Sequence, residues 1–425
     1  MLSLSPALSL AAGRVSAQGT TPLVVSVPAM WEDVLTPDVL AEFEAQYPGV
    51  DVMLTYSETT FFGFGGSVSS IDDQLDSTEE RVTAADVLYV DSSSLTAADT
   101  QAGYFLDLTP LVMSDPAMNT ADFVPAAWQS YQWDNGIWAL PLSVDVILLT
   151  YDPAAFDEAG LAYPNERWTV DDFANAARKL AEYNADGTVS TPGFSTVSGG
   201  NNQTVFLRAL AGVGFYDPAT MPNAPLFSAP ALEYTLQVWN ELVQEGVVLA
   251  QGGGRGNDIP LRVEGINGYA QRGLNNRDDE VRYASLLPGG TAGLNVQGFA
   301  VSAGTQYPEL AYALASFLTS RSELANNGFS AVPARYSVDG TQSANTGEPG
   351  GGPGGGPGGG LFAGNRTIPE SIQPAVDQGL TVGLPISELR YASYLNAALT
   401  DMATNGGDAL AALQAVEVQA LSDMQ

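Results

Sequence analysis

Short apolar runs alternate with amphipathic stretches through the first part of the chain. Leu23-Val24-Val25-Ser26-Val27 predicts a buried strand, and Thr36-Pro37 opens a helix that sets Val39, Leu40 and Phe43 on one face. Pro48-Gly49 stops that helix, and Val50 to Leu54 resumes alternation as a second strand. This β-α-β order builds parallel sheets flanked by helices. Asp86 to Val90 reads as a third strand and runs into a polar loop, Asp91-Ser92-Ser93-Ser94. In open α/β sheets ligands sit beyond the carboxyl ends of strands, so this loop and the Pro28 to Glu32 segment share one expected crevice.

Further along, Ala139-Leu140-Pro141-Leu142 leads into Val144 to Tyr151, a strand signal long enough to cross between domains. Thr169 and Asp172 have the spacing of a capping box ahead of a helix with Phe173, Ala177 and Leu180 on one stripe. A helix from Pro308 buries Leu310, Leu314, Phe317 and Leu318, and one near the C-terminus buries Leu410, Leu413, Val416 and Ala420. Between these two, Gly347 to Gly360 reads GEPGGGPGGGPGGG. It has no side chains to pack and a proline period of four, which predicts an exposed flexible insert and not a collagen helix.

Composition narrows the chemistry. Acidic residues outnumber basic ones 48 to 15, Lys179 is the sole lysine, and the formal charge is −33. With no Arg/Lys cluster to displace counterions from phosphates, a nucleic-acid partner is not expected. The chain has no cysteine and no histidine, which excludes disulfides, thiolate and imidazole catalysis, and thiolate- or imidazole-ligated zinc. Carboxylate chemistry, Ser/Lys chemistry and oxygen-ligated metals survive that filter. Met1 to Ala17 resembles the tail of a secretory leader with a Val15-Ser16-Ala17 cleavage signal but no basic start, so a start codon further upstream is expected. No run approaches the roughly 20 apolar residues of a membrane span. Without cysteine, a lipid anchor of the diacylglyceryl type is not expected.

Four ordered segments carry a resemblance to a known family. Phe43-Glu44-Ala45-Gln46-Tyr47-Pro48-Gly49-Val50 is similar to F-x-x-x-Y-P-G-I. Ala85 to Asp91 followed by Gly103-Tyr104-Phe105-Leu106-Asp107-Leu108-Thr109-Pro110 is similar to PDV…G-x-L-x-DLTP. Asn135 to Pro141, Leu149-Thr150-Tyr151-Asp152, Phe156, Ala159-Gly160-Leu161 and Trp168 to Phe173 follow GK-x-YALP…LYYN…F…AGL…TW-x-x-F almost in step. Ala300-Val301-Ser302, the helix at Pro308 and Val332-Pro333-Ala334-Arg335 complete the series. The chain thus resembles the family 1 extracellular solute-binding proteins, the maltose-binding-protein-like subunits of ABC importers. It departs from them at Ile137, at Asp152 and across Arg262 to Ala270, and around Phe61 to Ser70 it diverges.

The resemblance implies an α/β fold of periplasmic-binding-protein type II, two lobes each with a mixed sheet and flanking helices, closing by a hinge over a ligand. Lobe 1 would comprise residues 18–145 and 290–335, lobe 2 residues 146–288 and 362–425, with 1–17 the leader and 341–361 the Gly/Pro-rich insert. A small polar solute, a sugar foremost, would be bound by an exported monomer at the periplasmic or extracellular face and delivered to membrane permease subunits. No catalysis, cofactor or metal is expected. Sugar sites combine flat apolar faces with planar polar groups, and the residues placed for this are Trp31, Glu32, Asp91, Ser93, Asp145, Tyr269 and Arg272. Trp31 and Tyr269 fit core or surface packing equally well, and Asp91 and Ser93 fit a helix cap near Leu95. Asp145 lies where the lobes join, which favours binding over a hinge role alone. The rival readings are a polyamine or other non-sugar ligand, a secreted carboxylate-dependent glycoside hydrolase, and a structural surface protein.

Overall fold

A computed structural model of the chain describes residues 20–32, 34–57, 71–196, 200–217, 224–249, 259–267, 269, 282–325, 332–338, 368, 370–385 and 392–423. The expected leader, the divergent stretch around Phe61 to Ser70, the glycine-rich insert and Arg272 lie outside these residues. Eleven strands join in one mixed sheet. They are β1 (Thr21–Pro28), β2 (Val50–Ser57), β3 (Val87–Asp91), β4 (Leu140–Tyr151), β5 (Phe194–Thr196), β6 (Val248–Leu249), β7 (Leu261–Gly265), β8 (Tyr283–Ser285), β9 (Ala292–Val301), β10 (Val332–Pro333) and β11 (Gly383–Pro385). Their main order is β6-β5-β7-β4-β9-β3-β1-β2, with β8 and β10 also pairing β4, and β11 pairing β9.

Two long strands organise everything else. β4 and β9 run antiparallel, with Val144 opposite Val296 and Ile147 opposite Gly293. The first half of β4 and the second half of β9 belong with β3, β1 and β2. The second half of β4 pairs on one side with β7, which runs parallel to β5, and on the other with β8. Each group of strands is covered by its own helices. Pro308–Thr319 buries Ala311, Leu314, Ala315 and Leu318 in the core that also holds Leu23, Val25, Phe299 and Val301. Val170–Leu180, Gly200–Ala211, Pro230–Glu245 and the C-terminal pair Ala392–Asn405 and Ala409–Asp423 cover the other group.

Local sequence accounts for several boundaries. Thr169 and Asp172 form the reciprocal capping box, Asp172 N–H donating to Thr169 Oγ1 at 3.2 Å and Thr169 N–H to Asp172 Oδ2 at 3.0 Å. The Trp133 to Gly136 hairpin turns through Asp134 and Asn135, both at positive φ (53° and 62°), the geometry of a type I′ turn. The helix from Pro308 uses the stripe its spacing implies, although Leu310 and Phe317 remain half-exposed at its margin.

The second lobe's core rests on four aromatic rings, with Phe173 4.8 Å from Phe194 and 4.9 Å from Phe206, and Trp239 closing the cluster. Each of these side chains is essentially fully buried. Phe173→Ala is expected to destabilise the protein by about 3–5 kcal/mol, because the cage of rings cannot collapse onto the void. Urea unfolding followed by tryptophan fluorescence measures this, and a loss below about 1 kcal/mol would show that the cluster is not the anchor.

Candidate functional site

β4 is buried at every position but one, and so is β9. The exceptions are Asp145 and Asn295, and they are cross-strand partners. Residues directly opposed in an antiparallel pair share a face of the sheet. Of the two cross-strand polar pairs, Ser143 with Gln297 is buried and hydrogen-bonded to itself, and Asp145 with Asn295 is the pair that reaches the surface. The Asp145 carboxylate also reaches the end of β7: Asn267 N–H donates to its Oδ1 at 2.9 Å, and Ile266 N–H is a second donor. Gly265 makes this approach possible, since a Cβ at that position would lie 2.0 Å from Asp145 Oδ2.

On the other side of the pair, the β3 turn is tied to β9. Ser92 N–H donates to Val296 O at 2.7 Å, Val296 N–H donates to Ser92 Oγ at 3.0 Å, and Ser92 Oγ donates to Asn295 Oδ1 at 3.2 Å. Asp91 folds the turn on itself, accepting from Ser93 N–H at 2.8 Å, Ser94 N–H at 3.0 Å and the Ser93 hydroxyl. Polar groups of lobe 1, the crossing strands and lobe 2 thus meet in one line, Ser92, Asn295, Asp145, Asn267.

The sequence-derived candidates divide among different environments. Asp145 and Ser93 present surface here, Ser93 at the exposed tip of its turn. Glu32 is exposed on the turn after β1. Asp91 is buried and shapes the turn; the helix near Leu95, Ala97–Gln101, is capped instead by Thr96 with Asp99. Tyr269 is half-buried against the core shared by Ile266, Val146 and Val296. Trp31 is a correction: it has no exposed surface and packs against Tyr89 at 4.5 Å and Phe299 at 6.2 Å between ring centroids, so it offers no face for a ligand in this structure. Asn295 was not anticipated, although one asparagine inside the run Ala292-Gly293-Leu294-Asn295-Val296 was its signal.

Electrostatics single out the same position. Burial pushes the Asp145 carboxyl up to about 7, against the pull of the Asn267 and Ile266 N–H donors. Burial also raises Asp91, opposed by hydrogen bonds from Ser93 and Ser94 and by the charge of Arg81. Among the described residues no group of three acidic, histidine or cysteine side chains is arranged to hold a metal ion, and no helix is long and apolar enough to cross a membrane.

Two groups of strands, each with its own helices and joined by a shared pair of long strands, define a two-lobed mixed α/β fold. A profile of the bacterial extracellular solute-binding proteins matches residues 31–324, and the chain belongs to that family. No curated protein sequence matches significantly. Solved structures share the fold. An ABC substrate-binding protein from Listeria monocytogenes in complex with cycloalternan superposes with a TM-score of 0.65 at 16% identity, covering 95% of this chain and 99% of that one. The sugar-binding protein MalE from Xanthomonas citri gives 0.66 at 13% identity, covering 94% and 96%. UgpB from Mycobacterium tuberculosis in complex with glycerophosphocholine gives 0.63 at 14% identity, covering 96% and 100%.

The raised Asp145 value has a definite sign. The folded protein holds this proton to higher pH than the unfolded chain, so its contribution to stability is complete below about pH 4 and is lost as pH rises through about 7. Over that window the group accounts for a loss of up to about 4 kcal/mol. Asp145→Asn should flatten the stability profile between those limits in urea melts at fixed ionic strength. Parallel profiles for the two proteins would refute the assignment.

Proposed function

We propose that the chain is the solute-capturing subunit of an ABC importer and that it binds a small uncharged polyhydroxylated molecule, a sugar or oligosaccharide, between its lobes. The observation that carries this reading is the Asp145–Asn295 pair, the one polar pair of the two crossing strands that reaches the surface. A carboxylate and a carboxamide side by side offer the planar acceptors and donors that hydroxyls need. Ser93 and Glu32 from lobe 1 and Tyr269 from lobe 2 are candidates to join them as the lobes close. Hinge closure makes affinity a population shift, since only the closed form touches solute from both sides. The closed form would then dock on a membrane permease.

The sugar- and polyol-bound structures among the fold relatives support this class, while the glycerophosphocholine-bound relative keeps a phosphodiester in view. A net charge of −33 disfavours an anionic solute. Thermal unfolding against mono- and oligosaccharides, polyols, spermidine and glycerophosphodiesters tests the reading. The right solute at about 100 times its Kd stabilises the native state by roughly 2.7 kcal/mol, a saturable rise in Tm. Asp145→Ala should weaken that solute about 10- to 100-fold, the effect of losing a hydrogen bond to a charged group. A response to spermidine or a phosphodiester alone, with silence across all sugars, would overturn the sugar reading.

A further inference from the structure

A second concave site lies on the same face of β9, next to the polar pair but distinct from it. Gly293 is two residues from Asn295 and therefore shares its face; a Cβ there would press on Val205 of the helix Gly200–Ala211 and on Ile147 of β4. Beyond that contact a cavity of about 290 Å³ is walled by Val205, Ala209, Val213, Ala292 and Leu384. These residues come from three separate segments: the 200–211 helix and the chain just after it, the start of β9, and β11.

The floor of this cavity is the tight turn through which the chain leaves lobe 2. Leu287 N–H donates to Thr291 O at 2.8 Å, and Gly289 N–H is pinned to Glu166 O at 2.8 Å. Gly289 and Gly290 stand at φ 83° and 72°, a conformation other residues rarely adopt. A shallower pocket that includes Trp168 and Tyr234 shares Ala209, Gly212 and Gly289 with the cavity and continues it outward. Arg208 is the one charged side chain on the inner wall, and it has an interaction of its own within the fold.

We propose that this cavity is a second ligand site, for a small uncharged ring-sized molecule bearing at most one hydroxyl, and that its occupancy biases the opening and closing of the lobes. The wall chemistry sets the class. Aliphatic side chains supply most of the side-chain lining, and the polar groups are Thr291, Arg208 and glycine backbone. An apolar cavity of about 150 Å³ suffices to stay dry and take up benzene, so a single ring fits here with room for a substituent. The coupling follows from the surroundings: the start of β9 and the 287–291 turn beneath it lie where the chain passes between the two groups of strands, so a molecule fitting one setting of these segments better than another shifts the balance between them.

The test uses the full chain with no cleft solute, so it stands or falls apart from the sugar reading. Phenol and cyclohexanol are titrated in the low-millimolar range while Tm and the small-angle scattering radius are followed. A saturable Tm rise of a few degrees is expected, together with a change in radius of gyration. Ala209→Leu and Val213→Phe, which fill the cavity from two points along the same wall, should each abolish the Tm response. Absence of a saturable response in the natural protein overturns the site, as does an undiminished response in both variants; this holds even if one variant folds poorly. A Tm response with an unchanged radius would overturn the hinge coupling.

Discussion

The antiparallel pairing of β4 and β9 is the constraint on which the molecule depends. Each strand contributes to both lobes, so their register, Val144 against Val296 and Ile147 against Gly293, fixes how the two halves face each other. Backbone groups in such a buried ladder have no water to fall back on, and slipping by one residue would turn every side chain to the opposite face. A second cross-strand polar pair, Ser143 with Gln297, is buried and closed by its own hydrogen bond, whereas Asp145 and Asn295 reach the surface. A buried carboxylate or carboxamide away from partners is costly, so each of these groups is tied to a neighbour.

The constraint explains the local glycine chemistry. Gly265 lacks a side chain where β7 ends against Asp145, and Gly293 lacks one where the 200–211 helix crosses β9. In both places the helices and strands of lobe 2 come close to the crossing ladder. The first approach gives Asp145 its two N–H donors. The second brings Val205 onto the ladder and leaves the adjoining cavity beyond it. Asp145 is thereby held by lobe 2 while belonging to a strand that begins in lobe 1.

Much of the fold was legible in the sequence because its signals are local. The capping box at Thr169 and Asp172, the helix begun at Pro37 and the long, largely apolar run of β4 each depend on neighbours within a turn or two of chain. Asp145 stood out in the sequence as the one acid within that run. Trp31 stayed open between core and ligand for a physical reason: its segment follows a strand at the expected crevice, but whether an indole points to solvent or core is decided by Tyr89 and Phe299, which the chain brings from 58 and 268 positions away. Asn295 went unseen for the matching reason. Its meaning comes from lying opposite Asp145 across 150 residues of sequence, and register is a tertiary fact.

Asp91 shows how the same residue type takes different work at neighbouring points of one opening. Both Asp91 and Asp145 are lifted by burial and both accept backbone N–H groups. Asp91's donors come from residues two and three places along its own chain, so its bonds close a turn and hold Ser92 against β9. Asp145's donors come from a strand end 121 and 122 residues away, so its bonds join separate elements. A local acceptor shapes its own loop, whereas a long-range acceptor ties the crossing strand to the end of β7. In the second arrangement burial and backbone donors pull against each other on one carboxyl group, at the point where β4, β9 and β7 meet.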